Sequence, residues 1–163
     1  MNNSGFIDMS SIQILVFFAL VIIIAVYVTV TNNKRKQQTI IKKLKNGWGK
    51  PAQRKYSSED YECISHYFKR NADENSIDDI TWNDLGMDDV FRMMNNTNSS
   101  AGQEYLYKML RSPSADILSL KKLDKLASDF DKNADKRLDI QKIFVWIGRA
   151  KHISISDYCD VVV

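Results

Sequence analysis

Between Ile12 and Val30 the chain is an almost unbroken run of Ile, Leu, Val, Phe and Ala, with only Gln13 and Thr29 polar. As a helix this stretch is roughly 28 Å long at 1.5 Å per residue, close to the hydrocarbon thickness of a bilayer. About fourteen of its residues are Ile, Leu, Val or Phe, each favouring insertion by roughly 0.3 to 0.6 kcal/mol. The core helix of a soluble domain keeps a polar face at 3.6-residue spacing, and none exists from Ile14 to Val28. A cleaved signal peptide needs a basic leader and a small-x-small cleavage site. Met1 to Ser11 carries no Lys or Arg, and Ala25-Val26-Tyr27 is a poor match. The pattern predicts a retained transmembrane helix over 12–31.

The flanks predict its orientation. Lys34, Arg35, Lys36, Lys42, Lys43, Lys45, Lys50, Arg54 and Lys55 follow the span, and no acid occurs until Glu59. The positive-inside rule then leaves residues 1–11 extracytoplasmic and everything from Asn32 onward in the cytoplasm of a single-pass protein of the cell membrane. Residues 32–57 read as a basic juxtamembrane tether, with Lys34, Arg35, Lys36, Lys42, Lys43 and Lys45 as its cationic face. Besides fixing topology, that block suits anionic lipid headgroups or a phosphate strip for nucleic acid. Gly47-Trp48-Gly49-Lys50-Pro51 breaks the helix, and Trp48 suits a membrane interface or an intramolecular contact.

The overall balance of 23 Lys+Arg against 20 Asp+Glu hides a basic block beside the membrane and an acidic stretch, Asn71 to Phe91, with no basic residue. Residues 58–163 read as one small all-α domain. Ser58 with Glu59 and Asp60 resembles a helix start, followed by Tyr61, Ile64, Tyr67 and Phe68 at helical spacing. Ile77 to Ile80 reads as extended, with Thr81 capping a short turn that carries Trp82 and Leu85. Asp88 and Asp89 suit the first turn of a helix through Met94. Ser99 or Ser100 starts a helix that runs to Pro113, and Ser114 or Asp116 opens one through Phe130. A further helix spans about Arg137 to Arg149, and Ser156 and Asp157 begin another.

Catalytic constellations are missing from the pattern. Asp131, Asn133, Asp135 and Asp139 imitate an EF-hand, but Lys136 stands where the turn needs Gly and Lys142 where calcium needs a bidentate Glu. Gly49-Lys50 is followed by Pro51 rather than Ser or Thr, so it is no phosphate loop. Cys63 and Cys159 read as free thiols. His66 reads as a surface residue, and His152 is isolated from other ligand types. The acidic stretch lacks His or Cys partners and reads as caps and solvated loop rather than a metal site. From the residues alone, the chain is a membrane-anchored helical domain without an active site.

Thr97-Asn-Ser99-Ser-Ala-Gly102-Gln-Glu-Tyr-Leu106-Tyr-Lys-Met-Leu110-Arg-Ser-Pro113 resembles the T-x-T-x-x-G-x-x-x-L-x-x-x-L-x-x-P segment in the core/lever region of the MutS family of DNA-mismatch-repair ATPases. The following Ile117 to Phe130 is similar to that family's next helix. With Asp78 to Leu85 and the anchor, the chain resembles a membrane-anchored MutS-like subgroup of Gram-positive bacteria. The resemblance implies packing roles for Thr97, Ser99, Gly102, Leu106, Leu110 and Pro113. It also implies a helical core that couples DNA binding to ATP hydrolysis in complete members, with DNA as a partner and dimerisation through the ATPase domain. The Phe-x-Glu mismatch reader and the ATPase domain have no counterpart here, so the chain reads as cut short. It is expected to lack enzymatic activity and to need no cofactor, ATP and magnesium belonging to the missing domain. The alternative is a membrane-tethered helical adaptor that binds another protein through Tyr105, Tyr107, Phe144 and Trp146.

Overall fold

The computed structural model describes residues 9–52, 54–114, 116–150 and 153–162, and every regular element among them is helical. Helix α1, Met9–Gly47, contains the apolar run, and the side chains of residues 12–30 are all exposed. It is the one helix among the described residues long and apolar enough to cross a membrane. Its threonine hydroxyls bond within the helix: Thr29 Oγ1 donates to the Ala25 carbonyl at 2.7 Å, and Thr31 Oγ1 to that of Val28 at 2.9 Å. Inside hydrocarbon this local bonding removes the cost of an unpaired hydroxyl.

The chain divides between Lys43 and Leu44 into two compact units. The expected tether is therefore split, its second half belonging to the folded domain. Leu44 is buried, the Ala52 amide donates to the Met93 carbonyl at 2.8 Å, and Tyr56 packs on the core. Trp48 Nε1 donates to Asp131 Oδ1 at 3.3 Å, and the Arg137 guanidinium lies 4.0 Å from the centre of the Trp48 ring. Of its two expected environments, Trp48 takes the intramolecular one.

The second unit contains α2 (Ser58–Arg70), α3 (Asp79–Asp84), α4 (Met87–Met94), α5 (Ser100–Arg111), α6 (Ile117–Lys132), α7 (Ala134–Ile147) and α8 (Ile155–Val162). Its core joins Ile64 and Phe68 of α2, Trp82 of α3, Phe91 of α4 and Tyr107 of α5, with Tyr61, Leu106 and Leu110 at the margin. Phe91 and Tyr107 meet edge-on with centroids 5.4 Å apart, and Trp82 lies 5.1 Å from Tyr107. Such pairs add about 0.5–1.5 kcal/mol each beyond the area they bury.

The helix starts show how local chemistry sets the boundaries. Helix α2 begins one residue earlier than expected, because Ser57 and Asp60 form a reciprocal capping box. The extended reading of Ile77 to Ile80 is wrong at its C-terminal half. Asp78, not Thr81, caps α3 by accepting the Thr81 amide at 2.8 Å, which draws Asp79 and Ile80 into the helix. That hydrogen bond and the Thr81 hydroxyl hold the Asp78 carboxyl below the usual range. Ser99 caps α5 and Asp116 caps α6, each one of the two candidates at its site. The imitation calcium loop is no loop, since its residues lie in the last turn of α6, at Asn133 and in α7.

Candidate functional site

The segment from Thr97 to Pro113 supplies the centre of the domain. Ser99 Oγ accepts the Gly102 amide at 3.1 Å, and both Ser99 and Ser100 are buried. A Cβ on Gly102 would lie 3.1 Å from Ser99 Oγ and 3.2 Å from Thr97 Cβ, so the cap closes tightly over a residue without a side chain. Leu106 and Leu110, one turn apart, pack on the aromatic core. Pro113 lies exposed, just past the end of α5 at Arg111.

The hydroxyl-rich start of this segment does more than cap a helix. Ser100 Oγ accepts the Ala150 amide at 2.9 Å, and the Ser100 amide donates to the Gly148 carbonyl at 3.2 Å. The Arg149 guanidinium donates to the Thr97 carbonyl and, at 3.1 Å, to Thr97 Oγ1. Buried Asn95 accepts from Thr97 Oγ1 at 2.5 Å and donates to the Tyr56 hydroxyl at 2.7 Å. These bonds fasten the end of α7 to the start of α5. Asn95 reads in the sequence only as a helix terminator; its bonding partner two residues on was the available signal.

At the other end of α5, Arg111 is buried within an aromatic cage. Its guanidinium carbon lies 4.4 Å from the Trp82 ring centre, 5.0 Å from that of Phe68 and 5.5 Å from that of Tyr107. The guanidinium donates to the Tyr107 hydroxyl, to the Ile77 carbonyl at 3.0 Å and to Asp79 Oδ1 at 2.6 Å. This cage corrects the expected adaptor face: Tyr107 is buried under Arg111, whereas Tyr105, Phe144 and Trp146 are exposed. Helices α6 and α7 also leave Leu120, Leu123, Leu126, Ile143 and Ile147 exposed.

A second polar cluster joins α2, α5 and α8. Glu104, 3% exposed, accepts the Ile155 amide at 2.7 Å and the Ser154 hydroxyl at 3.1 Å, so a carboxylate from α5 satisfies the free amides at the start of α8. His66 lies partly exposed on α2, as expected, but it is engaged. Its Nδ1 lies 2.7 Å from Asp157 Oδ2, and Arg70 donates to Asp157 Oδ1 at 2.5 Å. The His66 hydrogen bond, aided by the charges of His66 and Arg70, holds the Asp157 carboxyl below the usual range. A groove of about 610 Å³ runs between Tyr67, Ala101, Tyr105 and Ile155. Glu104 and Arg70, which also line it, are engaged in fixing α8.

Among the described residues, no three His, Cys, Asp or Glu side chains converge as a metal site. Cys63 is a half-buried thiol whose pKa is pushed up by burial and by nearby Glu62 and Asp157. His152 and the side chain of Cys159 lie outside the described residues. The basic residues Lys34, Arg35, Lys36, Lys42, Lys43 and Lys45 are all exposed along α1. Set against protein-family models, curated proteins and solved structures, the chain matches none.

Proposed function

We propose that this chain is a single-pass membrane protein, with its N-terminus outside and its helical domain in the cytoplasm, and that the domain is a MutS-like core segment. In this reading it carries conformational coupling rather than chemistry. The observation that carries the membrane assignment is the α1 rod, whose apolar side chains from Ile12 to Val30 are exposed without exception. Leaving seventeen such residues in water is unfavourable by many kcal/mol, and a bilayer removes that cost. Support for the core assignment is narrower: Thr97, Ser99, Gly102, Leu106 and Leu110 of the pattern each have a local structural task. DNA is a partner of the complete assembly only. The domain's acidic run from Asn71 to Phe91 opposes a phosphate backbone, and residues 58–163 carry 19 acids against 14 basic residues.

Carbonate extraction and tag accessibility test the anchor: the chain stays with the membrane pellet, and a C-terminal tag is reached only after permeabilisation. A chain released by carbonate, or a C-terminal tag exposed on intact cells, overturns it. Electrophoretic shift of duplex DNA by the purified chain, with binding lost as salt rises, overturns the restriction on DNA. The exposed Phe144, Trp146 and Ile147 on α7 favour a second reading, an adaptor that docks another protein there. Alanine at these positions then abolishes partner binding without lowering stability, whereas the core reading expects no partner outside the MutS-like assembly.

A further inference from the structure

The proximal cytoplasmic part of α1 carries charge in a pattern that topology alone does not require. From Asn32 through Ser58 there is no acid, and among the described residues no recorded ion pair uses Lys34, Arg35, Lys36, Lys42 or Lys43. At about 100° per residue these five occupy an arc of roughly 200°, and Gln37, Ile40 and Ile41 fill the remainder. All five basic side chains are exposed, whereas Ile40 and Ile41 are half-buried. The helix thus presents an uncompensated cationic face, interrupted only by the uncharged Gln38 and Thr39.

We infer that this face binds the headgroups of anionic phospholipids, so that the protein recruits acidic lipid around its own anchor. The inference rests on the proposed membrane span. Depth decides between lipid and other polyanions. Lys34, Arg35 and Lys36 follow Val30 by about 6–9 Å along the helix, within the headgroup layer and snorkelling reach. Lys42 and Lys43 follow it by about 18–20 Å. After the headgroup layer and the length of a lysine are subtracted, they stand about one Debye length, roughly 8 Å, above the lipid charges. The lower three residues therefore bind headgroups directly, and the upper two add a salt-screened attraction. A nucleic acid reaching the same face would have to approach an anionic leaflet against repulsion.

The test uses the full chain in lipid nanodiscs of phosphatidylcholine containing about one-fifth phosphatidylglycerol. The readout is the phosphatidylglycerol fraction retained beside the protein after the discs are exchanged into mild detergent. Wild type is expected to hold that lipid at least about two-fold above the bulk fraction. Replacing all five basic residues by Gln returns it to bulk, and K42Q/K43Q alone gives an intermediate value that is less salt-sensitive than what K34Q/R35Q/K36Q retains. Inorganic phosphate at matched ionic strength leaves the enrichment intact if the site takes lipid headgroups, and abolishes it if the face is a general phosphate binder. Equal enrichment in wild type and the five-fold variant overturns the inference, as does displacement of the lipid by duplex DNA. Failure of the chain to enter pure phosphatidylcholine discs would instead refute the membrane span, so the two failures are distinguishable.

Discussion

Replacing Arg111 by methionine separates the worth of an aromatic cage from the worth of an ion pair. Methionine keeps much of the volume but removes a cation held over three rings, for which a desolvated contact contributes about 2 kcal/mol. It also leaves the Tyr107 hydroxyl and the Ile77 carbonyl without their side-chain donor, at about 1–3 kcal/mol for a buried unpaired group. Relief from burying a guanidinium offsets part of this, so the net loss is about 2–4 kcal/mol. Asp79 also touches Arg111, but it is 86% exposed. An exposed pair contributes about 0–1 kcal/mol, so Asp79→Asn costs less than about 1 kcal/mol even with a small helix-dipole effect. Arg111→Lys, which keeps the charge but loses the flat fork, falls between them. Thermal unfolding of the full chain in detergent, followed by near-ultraviolet circular dichroism of the Trp82 region, ranks the three. If Asp79→Asn lowers the midpoint as far as Arg111→Met, the ion pair dominates and the cage argument is refuted.

Gly102→Ala should destabilise the domain by about 1–2 kcal/mol despite alanine's better helix propensity, because the new methyl meets Ser99 and Thr97; a rise in melting temperature would contradict the tight closure. Ser99→Ala removes the α5 cap and should cost about 1 kcal/mol, read by urea unfolding. Burial raises the Tyr56 and Tyr107 hydroxyls, and burial with the charge of Asp88 pushes Tyr61 up to about 12. The unfolded chain loses these protons first, near pH 10, so stability should fall between about pH 10 and 12, and Tyr61→Phe should flatten that decline. Asp157 has the opposite sign. Its lowered folded pKa adds stability above the unfolded value near 4, lost as pH falls through the folded value, so proton exchange of α8 amides should quicken in that acid window in wild type but not in Asp157→Asn.

The all-helical character and the long exposed apolar helix were legible because each rests on local periodicity: a run with no polar face, and apolar residues three and four apart. Most caps were legible, since Ser, Asp and their spacing act locally; the errors at Ser57 and Asp78 arose where more than one polar residue near the boundary has a side chain able to cap a helix. What the pattern hid was long-range. Tyr107 looked like part of a surface stripe because nothing local shows that Arg111 folds back over it. The tie between Ser100 and Ala150, and that between His66 and Asp157, join residues 50 and 91 positions apart, beyond any local spacing rule.

The carboxylate of Glu104 governs when the C-terminal part of the chain can become ordered. An eight-residue helix is too short to persist in water unaided, and the amides at the start of α8 find their acceptor on a helix translated some fifty residues earlier. Synthesis from the N-terminus therefore presents α8 to a receptor that already exists, whereas refolding from denaturant must assemble α2 and α5 first. The last helix should gain structure in a late kinetic phase, and Glu104→Gln should slow or erase that phase while leaving the earlier collapse untouched.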